Sequence, residues 1–187
     1  AARGAGRTAG HDGDLRMNLQ STDFELFDLP TRFAQDAGAI DARWKALQRE
    51  AHPDRFAAQG AAAQRVAMQW SARINEAQRR LKDPTRRAAY LCELHGAPID
   101  AERNTAMPPE FLVQQMALRE ALDDADDTAS MDQIDRQSAS LRRELLSKIE
   151  HQIDAEADWP AAAQSVRALM FLDRLADEID RKRSTFA

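Results

Sequence analysis

Residues 40–56 read IDARWKALQREAHPDRF, and this stretch decides the architecture of the first half of the chain. Its apolar side chains recur at spacings of four, three and four residues, the pattern of one helix face: Ile40, Trp44, Leu47 and Ala51. The predicted helix runs from about Ile40 to Ala51 and ends before Pro53, because the residue preceding a proline is displaced from helical conformation. Arg43, Lys45 and Arg49 are predicted to share the opposite, exposed face.

Helices are predicted on both sides of this stretch. A short one begins at Ser21, whose hydroxyl can cap it, and ends before Pro30. A loop follows Asp54, and a long helix from Ala61 to Lys82 then carries an apolar stripe made of Val66, Trp70, Ile74, Ala77 and Leu81. Asp83 and Pro84 are typical of the start of a further helix, and Gly96 is typical of its end.

The second half of the chain is predicted to be a bundle of three helices. Residues 97–109 contain three prolines and no apolar periodicity, which indicates a linker between two domains. Helical patterns follow at about 110–124, 131–153 and 159–179, and the short loops between them make neighbouring helices antiparallel. No strand pattern or internal repeat is present in the sequence, so the predicted fold is all-α.

Apolar residues in the first bundle helix cannot all face the core. Leu112 and Leu118 are six residues apart and therefore point in different directions around a helix. We expect Phe111, Leu118 and Leu122 to form the core, and Leu112, Val113 and Met116 to form an exposed apolar patch.

Charge is distributed unevenly along the 187 residues, whose formal net charge is −5. Residues 1–42 carry a net −3, residues 43–90 a net +7 and residues 91–187 a net −9. A basic segment of this kind favours an acidic partner, either nucleic acid or an acidic protein surface. No apolar run is long enough for a membrane span, and the single cysteine, Cys92, fits a reducing cytosolic setting.

Residues 1–20 lack apolar periodicity and contain four glycines. We expect them to be disordered, or to be vector-derived or upstream sequence preceding a start at Met17. A transit peptide is the alternative, which Asp12 and Asp14 disfavour.

The tripeptide His52-Pro53-Asp54 carries most information in its context. It follows a basic helix and precedes a longer helix with Ile74-Asn75-Glu76-Ala77, and then Leu81-Lys82-Asp83-Pro84 and Arg86-Arg87-Ala88-Ala89-Tyr90. In this respect residues 21–96 resemble the J-domain, an antiparallel helical hairpin with an HPD loop found in partners of DnaK-type chaperones. The segments 111–120 and 166–175 extend the resemblance to the HscB co-chaperones of iron–sulfur cluster assembly.

The resemblance implies two binding surfaces and no catalytic site, cofactor or metal. The first would contact an HscA/DnaK-type chaperone and stimulate its ATPase: His52, Pro53, Asp54, Arg43, Lys45, Arg49 and Arg55. The second, on the bundle formed by residues 110–187, would bind the scaffold protein IscU: Leu112, Val113, Met116, Glu120, Asp124 and Phe171. A bacterial cytoplasmic monomer that contacts neither membrane nor nucleic acid is expected.

This sequence departs from the family pattern at three positions. Ala51 replaces an aromatic residue commonly found before the HPD loop, Arg55 replaces a lysine, and Ala117 stands where relatives often carry glutamate. Ala51 puts the packing beneath the loop in doubt, and Ala117 removes one charged scaffold contact.

Two rival functions belong to other classes. The +7 segment could bind nucleic acid, although Trp44 and Trp70 fall on apolar stripes instead of among the arginines. The second rival is an acidic helical metalloenzyme, and against it the sequence lacks paired histidine and carboxylate residues at metal-ligand spacing. Cys92 and His95 are three residues apart and could ligate a metal, but a buried structural thiol is favoured because no second ligand pair lies nearby.

Overall fold

The computed structural model describes residues 20–185, and all regular secondary structure in that range is helical. The predicted disordered segment 1–20 therefore lies, except for residue 20, outside the described residues. The helices are α1 (Asp23–Leu26), α2 (Ala37–Glu50), a 3₁₀ helix (Pro53–Gln59), α3 (Ala61–Lys82), α4 (Pro84–Leu94), α5 (Pro109–Asp124), α6 (Thr128–Glu150), a π turn (His151–Ala155) and α7 (Trp159–Arg183). Within residues 20–185, no helix is long and apolar enough to cross a membrane.

The predicted all-α fold is confirmed, with small shifts at the helix ends. Thr22 caps α1 in place of Ser21: its hydroxyl accepts from the Glu25 amide, and the Glu25 carboxylate accepts from the Thr22 amide at 2.8 Å. α2 begins three residues before the predicted start, because the Asp36 side chain caps it through the Gly38 amide. The loop expected after Asp54 is largely a 3₁₀ helix.

α2 and α3 form an antiparallel hairpin joined by a polar network on its outer side. The Trp44 indole and the Gln48 amide both donate to the Asn75 side-chain oxygen, at 2.9 and 2.7 Å. Closer to the turn, the Ser71 hydroxyl donates to the Ala51 carbonyl at 3.3 Å. These bonds fix the register of the two helices and satisfy partly buried polar groups.

The prediction of a buried α3 stripe is wrong for one of its residues. Trp70, Ile74, Ala77 and Leu81 are buried, but Val66 is 51% exposed and Ala67 is buried in its place. Val66 lies about 60° from the centre of the buried stripe, so near the start of α3 its side chain falls outside the region that neighbouring helices cover.

A buried carboxylate ties α1 to the hairpin. Asp23 is fully buried and forms ion pairs with Arg73 at 2.5 Å and Arg80 at 3.0 Å, both on α3. Its backbone amide donates to the Tyr90 hydroxyl of α4 at 3.1 Å. α1, α3 and α4 therefore meet at Asp23, and the two arginines neutralise its negative charge.

The second half contains the predicted three helices, with α6 antiparallel to both α5 and α7. The Lys148 ammonium meets the Glu110 carboxylate across α5 and α6, and Arg142 and Arg183 pair with acidic groups across α6 and α7. α7 contributes more buried residues than any other described helix, and Phe111, Leu118 and Leu122 of α5 face the core as predicted.

The two halves are joined by packing of α4 against α7, and a single apolar core runs through both. Thr85 of α4 donates to the Asp173 carboxylate of α7 at 2.6 Å. At the other side of the joint, Asp154 in the π turn accepts from the Phe33 and Ala34 amides at 2.7 and 2.8 Å. Residues 97–109 also pack on the bundle, because Arg167 donates to the carbonyls of Ile99 and Ala106. The division into domains at 21–96, 97–109 and 110–187 stays a prediction.

Replacing Asp23 by Asn should lower the free energy of unfolding by about 3 kcal/mol, because two arginines lose their buried counter-charge. Chemical denaturation measures this. Asp41→Asn is the matched control: it removes an exposed ion pair with Lys82 and should change the midpoint only slightly. Equal midpoints for both variants would show that Asp23 does not anchor α1.

Candidate functional site

The His52-Pro53-Asp54 corner projects into solvent at the end of α2. The side chains of His52 and Asp54 are 57% and 90% exposed. The His52 ring caps the 3₁₀ helix, since its Nδ1 accepts from the Asp54 amide at 3.3 Å, and Pro53 occupies the first helical position. Nδ1 is thus occupied by the Asp54 amide, and the Asp54 carboxylate lies 3.7 Å from it. Because both side chains are exposed, Nε2 of the ring and the Asp54 carboxylate can contact an outside partner.

Ala51, beneath the corner, is covered by neighbouring residues despite its small side chain. Ala51 is fully buried, and its carbonyl accepts from the Ser71 hydroxyl. The predicted departure at this position therefore leaves the corner supported by α3.

Two of the three predicted basic residues of α2 lie on its exposed face. Lys45 and Arg49 are exposed, and Arg49 Nε donates to the Lys45 carbonyl at 3.2 Å. Arg55 joins them, because its guanidinium donates to the Arg49 carbonyl. Arg43 is a correction: it is half-buried on the flank of α2, and its Nε donates to the Phe27 carbonyl at 2.8 Å. The positions of Arg43 and Lys45 differ by about 200° around the helix, so they cannot share one face.

The positive charge of residues 43–90 is concentrated at the end of the hairpin that carries the corner. Cations in the later part of the segment pair with carboxylates: Arg73, Arg79, Arg80, Lys82 and Arg86. Among the residues that the structure describes, no carboxylate lies within ion-pair distance of Lys45, Arg49, Arg55 or Arg65. Arg65 was missed from the sequence, where nothing distinguishes a paired arginine from an unpaired one.

Both tryptophans of the basic segment are turned inward. Trp70 is 7% exposed, and the Trp44 indole is used inside the hairpin network. Nucleic-acid binding through stacked bases requires exposed rings among the cations, and neither tryptophan provides one.

The predicted apolar patch on α5 is exposed as expected. Leu112, Val113 and Met116 are 45%, 71% and 73% exposed. Glu120 and Asp124 are also exposed and continue the same face of α5 toward its C-terminus. The face therefore combines three apolar side chains with an acidic end.

Phe171 does not belong to this exposed surface, and the expectation that it does is wrong. It is 6% exposed and meets Phe111 edge-on, with ring centroids 5.8 Å apart. The Arg119 guanidinium lies 5.6 Å above its ring and is held by an ion pair with Glu178. α7 runs parallel to α5 beneath it, so Phe171 supports the exposed face from inside. Arg119, which the sequence analysis missed, covers this contact.

Cys92 and His95 each have a packing role in the structure. Cys92 is buried, and burial raises the pKa of its thiol to about 11. The His95 ring stacks on Trp159 of α7, with centroids 3.7 Å apart, and its Nδ1 lies 2.9 Å from the Leu91 carbonyl. Between residues 20 and 185, no group of three or more metal-ligating side chains comes together.

Comparisons with known proteins agree with this architecture. A family model described as the HSCB C-terminal oligomerisation domain matches residues 107–180. The co-chaperone protein HscB homolog of Burkholderia multivorans is 48% identical over 166 residues, which cover 87% of this chain and 94% of that protein. The homolog of Bordetella petrii is 47% identical over 161 residues, 86% of this chain and 95% of its own.

Solved structures show the same fold. Chaperone HscB from Vibrio cholerae superposes with a TM-score of 0.76 at 35% identity, covering 89% of this chain and all of that one. Human co-chaperone HscB gives a TM-score of 0.82 over 97% of this chain and 94% of its own, and its 24% identity makes it a likeness of fold alone.

The Cys92 thiol should not react with a thiol reagent such as DTNB in the folded protein at pH 8. The thiolate is the reactive form, and a pKa of about 11 leaves little of it at that pH. One equivalent should react once guanidinium chloride unfolds the chain, which serves as the internal control. Complete reaction of the folded protein within seconds would contradict the burial.

Proposed function

Because this chain belongs to the HscB family of co-chaperones, we propose that it stimulates the ATPase of an HscA/DnaK-type chaperone and delivers an IscU-type iron–sulfur scaffold protein to it. The observation that carries the proposal is the joint exposure of the His52-Pro53-Asp54 corner and the unpaired cations beside it. Cluster transfer to other proteins would be the process that this delivery serves.

The corner is suited to contact a partner without a large loss of entropy. Pro53 fixes its own φ, and the bond from the Asp54 amide to Nδ1 orients the His52 ring before binding. The Asp54 carboxylate, 90% exposed, can accept a charge-assisted hydrogen bond from an arginine of the chaperone. His52 can donate from Nε2 at the same time.

The basic residues around the corner favour an acidic docking surface. Lys45, Arg49 and Arg55 are exposed and form no ion pair with a carboxylate in the described part of the chain, so their charge is available to steer association. Complementary charge of this kind mainly raises the association rate and selects the partner.

Stimulation in this proposal is a shift of population in the chaperone. Binding of the corner favours the hydrolysis-competent state of the ATPase, and this chain contributes no catalytic group and holds no nucleotide. It acts as a co-chaperone and not as an enzyme.

The exposed face of α5 supplies the scaffold-binding surface. Leu112, Val113 and Met116 offer apolar anchors, and Glu120 and Asp124 form a charged rim, which is the composition of a transient interface. Phe171 acts on this surface only by supporting α5 from below. Packing of α4 on α7 holds the face and the corner in one orientation.

We also propose that the chain acts as a monomer in the bacterial cytoplasm. The bacterial relatives and a reduced, buried Cys92 support this location. Sedimentation of the purified chain tests whether it is a monomer.

His52→Gln should abolish stimulation of a purified HscA-type chaperone, because Gln cannot reproduce both the Nδ1 cap and the Nε2 donor. Steady-state ATP hydrolysis measures the effect, and scaffold binding should persist. His151→Gln changes another exposed histidine and should stimulate like the wild-type chain. Equal stimulation by both variants would remove the role of the corner.

Leu112→Ala combined with Met116→Ala should weaken binding of an IscU-type scaffold by on the order of 1–3 kcal/mol. Titration calorimetry measures the affinity, and stimulation in the absence of scaffold should continue. Leu118 and Phe111 are left intact because they form the core. Normal scaffold affinity in the double variant would place the binding surface elsewhere.

A further inference from the structure

We propose that the chaperone-docking surface extends from α2 across the hairpin onto α3, where Arg65 and Met68 contribute a charged and an apolar contact. This inference rests on the proposed function and adds two residues to its first binding surface. The occupant is an acidic surface of the ATPase chaperone that carries an apolar side chain next to its carboxylates.

Met68 is an exposed apolar side chain with no structural task. It is 54% exposed, on the side of α3 away from the buried stripe. A methionine side chain is flexible and polarizable, which suits contact with a partner surface. Its exposure gains nothing for the fold, whereas burial against a partner would remove apolar area from water.

Helix geometry places Met68 on the same outer side of the hairpin as the basic residues of α2. Met68 and Asn75 are seven residues apart and so lie within about 20° of each other around α3. The Asn75 side chain accepts a hydrogen bond from Gln48 of α2, so this side of α3 borders α2, and exposed Met68 lies along the same border.

Met68 is also level with the corner along the hairpin. Ser71 is bonded to the Ala51 carbonyl, immediately before His52. Met68 lies three residues from Ser71 toward the start of α3, about 4.5 Å along the axis, in the direction of the corner.

Arg65 completes the surface with an unused charge. It is exposed, and the described part of the chain gives it neither a hydrogen bond nor an ion pair. It lies one turn from Met68, so the two can act together. Arg79, farther along α3, is instead paired with Glu76 at 3.6 Å.

Val66 provides a matched control within the same helix turn. It is 51% exposed, close to the value for Met68, but lies about 200° away around α3. That flank is shared with Arg73, which pairs with Asp23 of α1, so Val66 faces away from the outer side of the hairpin.

The experiment measures chaperone ATPase rate against co-chaperone concentration for the wild-type chain, Met68→Ala, Arg65→Ala, Val66→Ala and Arg79→Ala. Met68→Ala and Arg65→Ala should raise the half-maximal concentration by about fivefold or more, whereas the two controls should match the wild-type chain. The effect should be a shift of midpoint, in contrast to the lost maximum of His52→Gln. Arg65→Ala should also reduce the salt dependence of the midpoint.

The outcomes separate the two proposals. If the wild-type chain does not stimulate the chaperone, the proposed function fails. If it does, and Met68→Ala and Arg65→Ala behave like Val66→Ala, only the extension onto α3 is overturned. Weaker binding of the IscU-type scaffold by Met68→Ala, with normal stimulation, would assign α3 to the other partner and overturn the inference equally. Thermal unfolding of each variant confirms that the fold is retained.

Discussion

Packing of α4 against α7 is the contact on which the rest of the molecule depends. α4 belongs to the hairpin half and α7 to the bundle, and their apolar faces close a single core. Two polar contacts at its borders fix the angle between the halves. The Thr85 hydroxyl donates to Asp173, and the Phe33 amide donates to Asp154. Because interiors are densely packed, such a joint resists continuous deformation. In the proposed function, two partners bound to the joined halves meet in one orientation.

The distribution of charge shows how the fold converts a broad sequence feature into a local one. The segment 43–90 is basic throughout, but carboxylates from α1, α2 and α3 neutralise the cations of the later half, with Asp23 and Asp41 as the clearest examples. The exposed cations without a carboxylate partner among the described residues lie in the last turns of α2, in the 3₁₀ helix and near the start of α3, on either side of the His52-Pro53-Asp54 corner: Lys45, Arg49, Arg55 and Arg65. An acidic partner therefore experiences the strongest attraction at the place where the corner can engage it.

Apolar periodicity predicted the positions of the helices well, but it predicted the exposure of individual side chains less accurately. On α5 the spacing alone separated the buried Phe111 from the exposed Met116, because residues five apart differ by about 140° around a helix. Val66 and Phe171 were misplaced for different reasons. Val66 lies at the edge of a stripe, where burial depends on how far the neighbouring helix reaches. Phe171 is on α7, which is covered on several sides by other helices, so nearly every apolar side chain on it is buried.

The order of the α-helices, the proline-stiffened corner after α2 and the apolar face of α5 could all be predicted from the sequence, because each follows from local spacing and backbone restriction within a few residues. Tertiary structure alone decided which charges are free, which aromatic rings are inside and how the two halves are joined. Arg43 and Arg65 illustrate this: both are arginines of the same basic segment, yet one donates to the Phe27 carbonyl and the other is exposed. Such differences arise from contacts between residues far apart in the chain, and local patterns carry no information about them.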